Sequence, residues 1–170
     1  MLLSILLLLV ILFLLILLSM VWPPDSPWAP WWRTNTKTAK AICELAKINN
    51  KDTVYDLGCG DGEVLIQAAK RGAKGVGIEI DPLRVFIARL RVFINNFDDI
   101  ITIKRNNFFN EKYSQASVII VYLIPKTLDK LLPRFKKQLK KGTRIVSFRY
   151  EMKMPLKKVD EANNIRLYII

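Results

Sequence analysis

No histidine occurs in this 170-residue chain. That removes histidine-based triads, histidine general bases and most zinc sites together. Cysteine is nearly as scarce. Cys43 and Cys59 are too few for a metal cluster, and nothing in the sequence marks a disulfide. Both read as reduced thiols of a cytosolic domain. Acid is also in short supply: 15 Asp plus Glu stand against 27 Lys plus Arg, a net charge of +12. Residues 1–32 carry one charged side chain, Asp25, so the whole chain's +12 becomes +13 over residues 33–170. Such a balance points to an anionic neighbour, phospholipid or nucleic acid, and is silent about fold. No Walker-type Gly-Lys-Ser/Thr is present, which disfavours a triphosphate cradle. There is no internal repeat.

The N-terminus has the opposite character. Leu2 to Val21 is apolar except for Ser4 and Ser19. Twenty helical residues rise about 30 Å, the thickness of a bilayer core. A cleaved signal peptide is the alternative, but this run is longer than the usual apolar region. No Lys or Arg precedes it, and it ends in Val21-Trp22-Pro23-Pro24 rather than at small residues. The expectation is a transmembrane anchor over residues 1–21. A Trp/Pro-rich interfacial linker follows over 22–35, then a domain over 36–170. Every Lys and Arg lies beyond the span, which places the domain on the cytoplasmic side of the membrane.

The domain is organised around Val54-Tyr55-Asp56-Leu57-Gly58-Cys59-Gly60-Asp61-Gly62. A short β-rich run enters three alternate glycines, and Glu63 opens a helix. Such a turn lets backbone approach a ligand closely. A second strand, Gly75–Ile80, ends in Glu79, roughly 20 residues on, where an acid accepts from ribose hydroxyls. The spacing Gly-x-Gly-x-Gly departs from the dinucleotide pattern. Asp56 would repel a pyrophosphate and suits an ammonium. S-adenosylmethionine (SAM) carries an ammonium and a sulfonium and no phosphate. A ligand-free strand-to-helix turn is the bland alternative, and a nicotinamide oxidoreductase is disfavoured by the glycine spacing.

In order, the pattern predicts a helix over Lys37–Ile48, a strand at Thr53–Leu57, a helix over Glu63–Arg71 and a strand at Gly75–Ile80. A helix from Asp81-Pro82 to about Asn95 comes next, then a strand near Ile100–Lys104. Val118–Leu123 reads as a strand, Pro125–Lys140 as a helix and Arg144–Tyr150 as a strand. A hairpin, Lys157–Glu161 with Ile165–Ile170, closes the chain. Alternating strands and helices give an α/β fold, a mostly parallel sheet covered on both faces, with ligands at the carboxyl ends of the strands. The outward lysines of residues 126–141 form a solvated face, a contact with anionic lipid or, third, a contact with nucleic acid.

The stretch Asp56–Gly62 with Gly77-Ile78-Glu79-Ile80-Asp81 resembles the motifs of seven-strand (class I) SAM-dependent methyltransferases. Ala29-Pro30-Trp31-Trp32-Arg33-Thr34, Tyr122-Leu123-Ile124-Pro125 and Gly142–Ser147 are similar to a narrower group. That group comprises small membrane-anchored prokaryotic relatives of the mitochondrial lysine methyltransferases of the ATP synthase c-subunit and the adenine nucleotide translocase. The resemblance implies a Rossmann-like seven-strand sheet, SAM as cofactor and a protein lysine as acceptor, in a membrane protein. It assigns Asp56, Gly58 and Gly60 to the amino-acid end of SAM and Glu79 to the ribose. Asn107 and Phe108 border the adenine, with Asn107 where an Asp is usual. Tyr122, Trp31, Trp32 and Thr34 are the candidate substrate pocket. Arg33 stands where a proline is common. No Asn/Asp-Pro-Pro-Tyr follows the fourth strand, which disfavours nucleic-acid bases as substrate. Methylation of a lipid or small molecule at the membrane, and a non-catalytic tethered binding module, are the competing readings.

Overall fold

The computed structural model describes residues 2–21 and 33–170, with side chains described for 3–17 and 33–170. The two parts belong to separate compact units. In the first, helix α1 spans Leu2–Val21, and its described side chains are all exposed. Residues 3–17 reach only about 22 Å at 1.5 Å per residue. Among the described residues no helix is long and apolar enough to cross a membrane.

The second unit is a seven-stranded sheet in the order β3-β2-β1-β4-β5-β7-β6. Strands β1 (Thr53–Leu57), β2 (Lys74–Glu79), β3 (Ile101–Arg105), β4 (Val118–Val121) and β5 (Arg144–Phe148) run parallel. The hairpin β6 (Leu156–Asp160) and β7 (Ile165–Ile169) adds antiparallel to β5. Strand order reverses between β1 and β4, which makes their carboxyl ends the switch point of the sheet.

Two layers of side chains follow from strand alternation. Val54, Val118, Ile120, Val146 and Ile103 pack with helices α2 (Thr36–Leu45), α3 (Glu63–Ala69) and α4 (Pro82–Ile94). On the other face, Tyr55 meets Tyr113 edge-on, and Tyr113 meets Phe135 of α5 (Pro125–Gln138) in the same way. Asn35 caps α2, its side-chain oxygen accepting from Thr38 N at 2.8 Å. Asp81 caps α4 through Leu83 N and Arg84 N, and Pro82 occupies the first helical turn.

Several elements are shorter than the pattern predicts. The helix expected to reach Ile48 ends at Leu45, and Lys47 turns left-handed at φ 52°. The strand expected to reach Tyr150 stops at Phe148 because Arg149 adopts φ 69°. Pro133 lies inside α5 without ending it.

Gly77 shows how tightly β2 meets the glycine turn. A Cβ there would stand 2.7 Å from Cys59 Sγ, 2.7 Å from Ile103 Cδ1 and 2.8 Å from Leu65 Cδ1. All three are buried. Gly77→Ala is therefore an overpacking change, expected to cost about 1–3 kcal/mol. Thermal unfolding reads this as a fall of about 3–9 °C.

Candidate functional site

The site grows from the end of β1. Gly58, Gly60 and Gly62 hold φ of 81°, 54° and 78°, values that a side chain would strain. Gly58 N and Cys59 N both donate to Ile78 O, at 2.8 and 3.2 Å. Gly60 N donates to Glu79 Oε2 at 3.0 Å. These three amides are engaged within the protein. A Cβ on Gly58 would find nothing within 4 Å, so the backbone there opens on free space.

Three carboxylates lie together around the turn, and their partners differ. Asp61 is paired twice, with Arg33 Nε at 2.7 Å and Arg91 Nη1 at 2.6 Å. Glu79 is buried and accepts three backbone amides: Gly60 N, Ile80 N at 2.9 Å and Asp81 N at 3.0 Å. Asp56 is buried with no hydrogen bond from the described residues to offset its neighbours. Burial, then the charges of Glu79 and Asp61, push its carboxyl up to about 7. Glu63 completes the support. Burial pushes it up, but hydrogen bonds from Arg91, Thr36 and Gln67 prevail and hold it below the usual range. Of the three, Asp56 is the one with neither a hydrogen bond nor an ion pair among the described residues, which suits a cation.

On the β3 side, Asn107 Oδ1 accepts from Phe109 N at 2.9 Å and caps a short 3-10 turn, Phe108–Asn110. Its oxygen keeps one lone pair for a ligand. Phe108 packs on Phe109, ring centroids 4.9 Å apart, and its carbonyl accepts from the Tyr113 hydroxyl. Ile80, directly after Glu79, is exposed.

Tyr122 follows β4 and is half-buried. Its ring lies 4.5 Å from Phe148 and stacks on Tyr150 at 6.3 Å. Its hydroxyl accepts from Arg149 Nη1 at 3.1 Å. Burial pushes the phenol up, with Arg149 pulling the other way, so it stays protonated. Sequence pattern does not mark Phe148, Arg149 and Tyr150 as site residues, because it carries the strand through all three. Nor does it mark Arg33 and Arg91, whose partner, Asp61, is distant in sequence. Thr34 is half-buried beside Arg33, and no hydrogen bond ties it to Tyr122 among the described residues. Trp31 and Trp32 lie outside the described residues. Both cysteines are free and buried; burial pushes Cys43 up to about 12 and Cys59 upward as well, leaving them inert.

The family model of the ANTKMT methyltransferase domain matches residues 56–157, more than half the chain. The chain belongs to the ANTKMT methyltransferase family. Its similarity to a protein-lysine N-methyltransferase of Saccharolobus islandicus is 35% identity over 160 residues, covering 89% of this chain and 98% of that one. Similarity to the human lysine N-methyltransferase of the ATP synthase c-subunit is 24% over 115 residues, 68% of this chain and 49% of that one. A solved RNA methyltransferase of Salinibacter ruber, in complex with S-adenosyl-L-homocysteine, is 34% identical. It superposes with a TM-score of 0.79 over 82% of this chain and 94% of that one. Family and fold make this protein a SAM-dependent methyltransferase. Unpaired Asp56, open Gly58 and exposed Ile80 beside Glu79 fit a ligand with an ammonium, a ribose and a flat base.

Proposed function

We propose that this methyltransferase acts on a protein lysine and does so at a membrane, with α1 as its anchor and the domain over residues 36–170 on the cytoplasmic side. The apolar run of the sequence from Leu2 to Val21, broken only by two serines, supports the anchor. The basic surplus C-terminal to it supports the orientation. A membrane protein is the favoured substrate.

The observation that carries the lysine reading is the aromatic wall of Tyr122, Phe148 and Tyr150 with a guanidinium at its edge. When bound, SAM supplies an activated methyl group, so the protein mainly positions partners and excludes water. Asp56 would hold the ammonium and Glu79 a ribose hydroxyl. Asn107, Phe108 and Ile80 would border the adenine. The acceptor amine must be neutral to attack. Desolvation among aromatic rings lowers a lysine's pKa, and the positive charge of Arg149 lowers it further. Tyr122 and Arg149 thus act on the acceptor; Thr34, Trp31 and Trp32 remain pocket candidates.

A first experiment supplies the full chain with methyl-labelled SAM and offers membrane proteins, lipid extract and RNA separately. Label on lysine after protein hydrolysis supports the reading. Label confined to lipid or RNA overturns it, and no label with intact SAM binding favours a binding module. RNA is included because of the Salinibacter ruber likeness and the basic domain. Arg149→Met should raise the pH of half-maximal rate by about one unit and cut turnover at pH 7 roughly tenfold. SAM affinity should not change, since Arg149 sits on the acceptor side.

A further inference from the structure

Helix α4 is built with its large apolar residues on the outside. Its buried stripe is small: Val85, Ala88 and Val92 face the sheet. Phe86, Leu90, Phe93 and Ile94 are 63%, 46%, 65% and 67% exposed. They recur at i, i+4, i+7 and i+8, so they form one stripe along the helix. A surface helix normally turns such residues inward, and an exposed stripe of this kind marks an interaction surface. Arg84 and Arg89 border it at helical spacing, and Arg89 also donates to Ile103 O.

We infer that this outer face of α4 docks on the surface of an anionic bilayer, with the phenylalanines among the acyl chains and the arginines at the headgroups. The inference rests on α1 being a membrane anchor. Two facts choose the bilayer over other partners. Residues 22–32 are all that separates α1 from Arg33, and eleven residues cannot reach beyond about 40 Å in any conformation. An anchored domain is therefore tethered to lipid by no more than that length. The stripe's pattern, bulky apolar side chains flanked by arginine, is also that of an interfacial helix. Helix α5 covers the opposite face of the sheet, so its lysines and the α4 stripe cannot rest on one flat membrane together. The choice of α4 makes α5 the side turned to water.

The test uses the full chain in vesicles of phosphatidylcholine and phosphatidylglycerol. A nitroxide is placed at Phe93→Cys or, for comparison, at Lys137→Cys on α5. Cys43 and Cys59 are buried, so label goes to the introduced thiol. Unchanged SAM affinity certifies that each labelled protein is folded. The expected result is at least a threefold rise in collision with oxygen and a matching fall with an aqueous nickel chelate at position 93, relative to 137. If the chain floats with the vesicles but position 93 remains in water, the α4 inference fails and the anchor stands. If the chain does not float, the anchor reading fails and takes this inference with it. Shielding from both reagents, with spin broadening that grows with the protein-to-lipid ratio, would assign the face to a second copy instead.

Discussion

Glu79→Ala should reduce SAM affinity by at least a hundredfold and also loosen the folded state. The two effects share one cause. The Glu79 carboxylate is buried, and three backbone amides, those of Gly60, Ile80 and Asp81, point at it. Two donate to Oε1 and one to Oε2, so Oε2 retains a lone pair for a ribose hydroxyl. Truncation removes the proposed ribose acceptor and leaves three amides without their partner. Each buried amide left unsatisfied costs about 1–3 kcal/mol, and partial hydration of the new space returns some of that. A net loss of about 2–3 kcal/mol corresponds to a fall of about 5–10 °C for a domain of this size. Saturating ligand supplies the second readout. SAM at a hundred times its wild-type Kd should stabilise the wild type by about 2.7 kcal/mol and Glu79→Ala by no more than about 0.4 kcal/mol. Glu79→Gln separates charge from shape. Its oxygen can keep the Ile80 and Asp81 amides, but its NH2 then faces Gly60 N, donor against donor. An intermediate unfolding temperature with weak SAM binding is expected. Full SAM binding by Glu79→Ala would remove Glu79 from the site.

The same residue shows what a sequence conveys and what it withholds. Glu79 is legible as a strand-end acid following a glycine turn, because both features follow local patterns. Its grip on Gly60 is not, because nothing local says which amide a carboxylate will meet across 19 residues. Asp52 repeats the lesson: beside a local bond from Asn49 N at 2.9 Å, it joins Ser117 at 2.7 Å and Arg144, two partners brought to it only by folding. Strand β1 and the capped start of α4 match their sequence expectations, since a short β-rich run and Asp-Pro carry their own instructions. The aromatic site is half legible. Tyr122 follows a strand in a readable motif, whereas Tyr150 joins it only because Arg149 turns left-handed and breaks β5 early. A non-glycine residue in that conformation is held there by tertiary bonds, here Arg149 N to Asn164 O at 2.8 Å. The outward stripe of α4 is hidden in what reads as ordinary amphipathic packing. Periodicity reveals that apolar positions recur, but a helix with two apolar faces needs the fold to say which is buried.

Asp56 makes the second large prediction, and its sign differs for stability and for binding. Burial, with Glu79 and Asp61 nearby, raises its folded pKa to about 7, whereas the unfolded value is near 3.8. Between those values the folded chain holds a proton that the unfolded chain has released. Stability from this group is therefore full below about pH 4 and is lost as pH rises to about 7, a total on the order of 4 kcal/mol at 1.36 kcal/mol per pH unit. Binding runs the other way. An ammonium selects the ionised carboxylate, so SAM must displace the proton at low pH. Affinity should climb about tenfold per pH unit from 5 to 7 and level off above. Calorimetry at pH 6 in two buffers of different ionisation enthalpy should register release of about one proton per SAM bound. Asp56→Asn should flatten the affinity profile, abolish proton release and bind SAM weakly at every pH. At pH 8 it should nonetheless be more stable than the wild type by about 1–3 kcal/mol, since a buried, unpaired charge has been removed. A wild type whose SAM affinity ignores pH would mean that Asp56 does not receive the ammonium. Gain of stability together with loss of binding, in one substitution, is what a carboxylate kept without a partner for a cationic ligand requires.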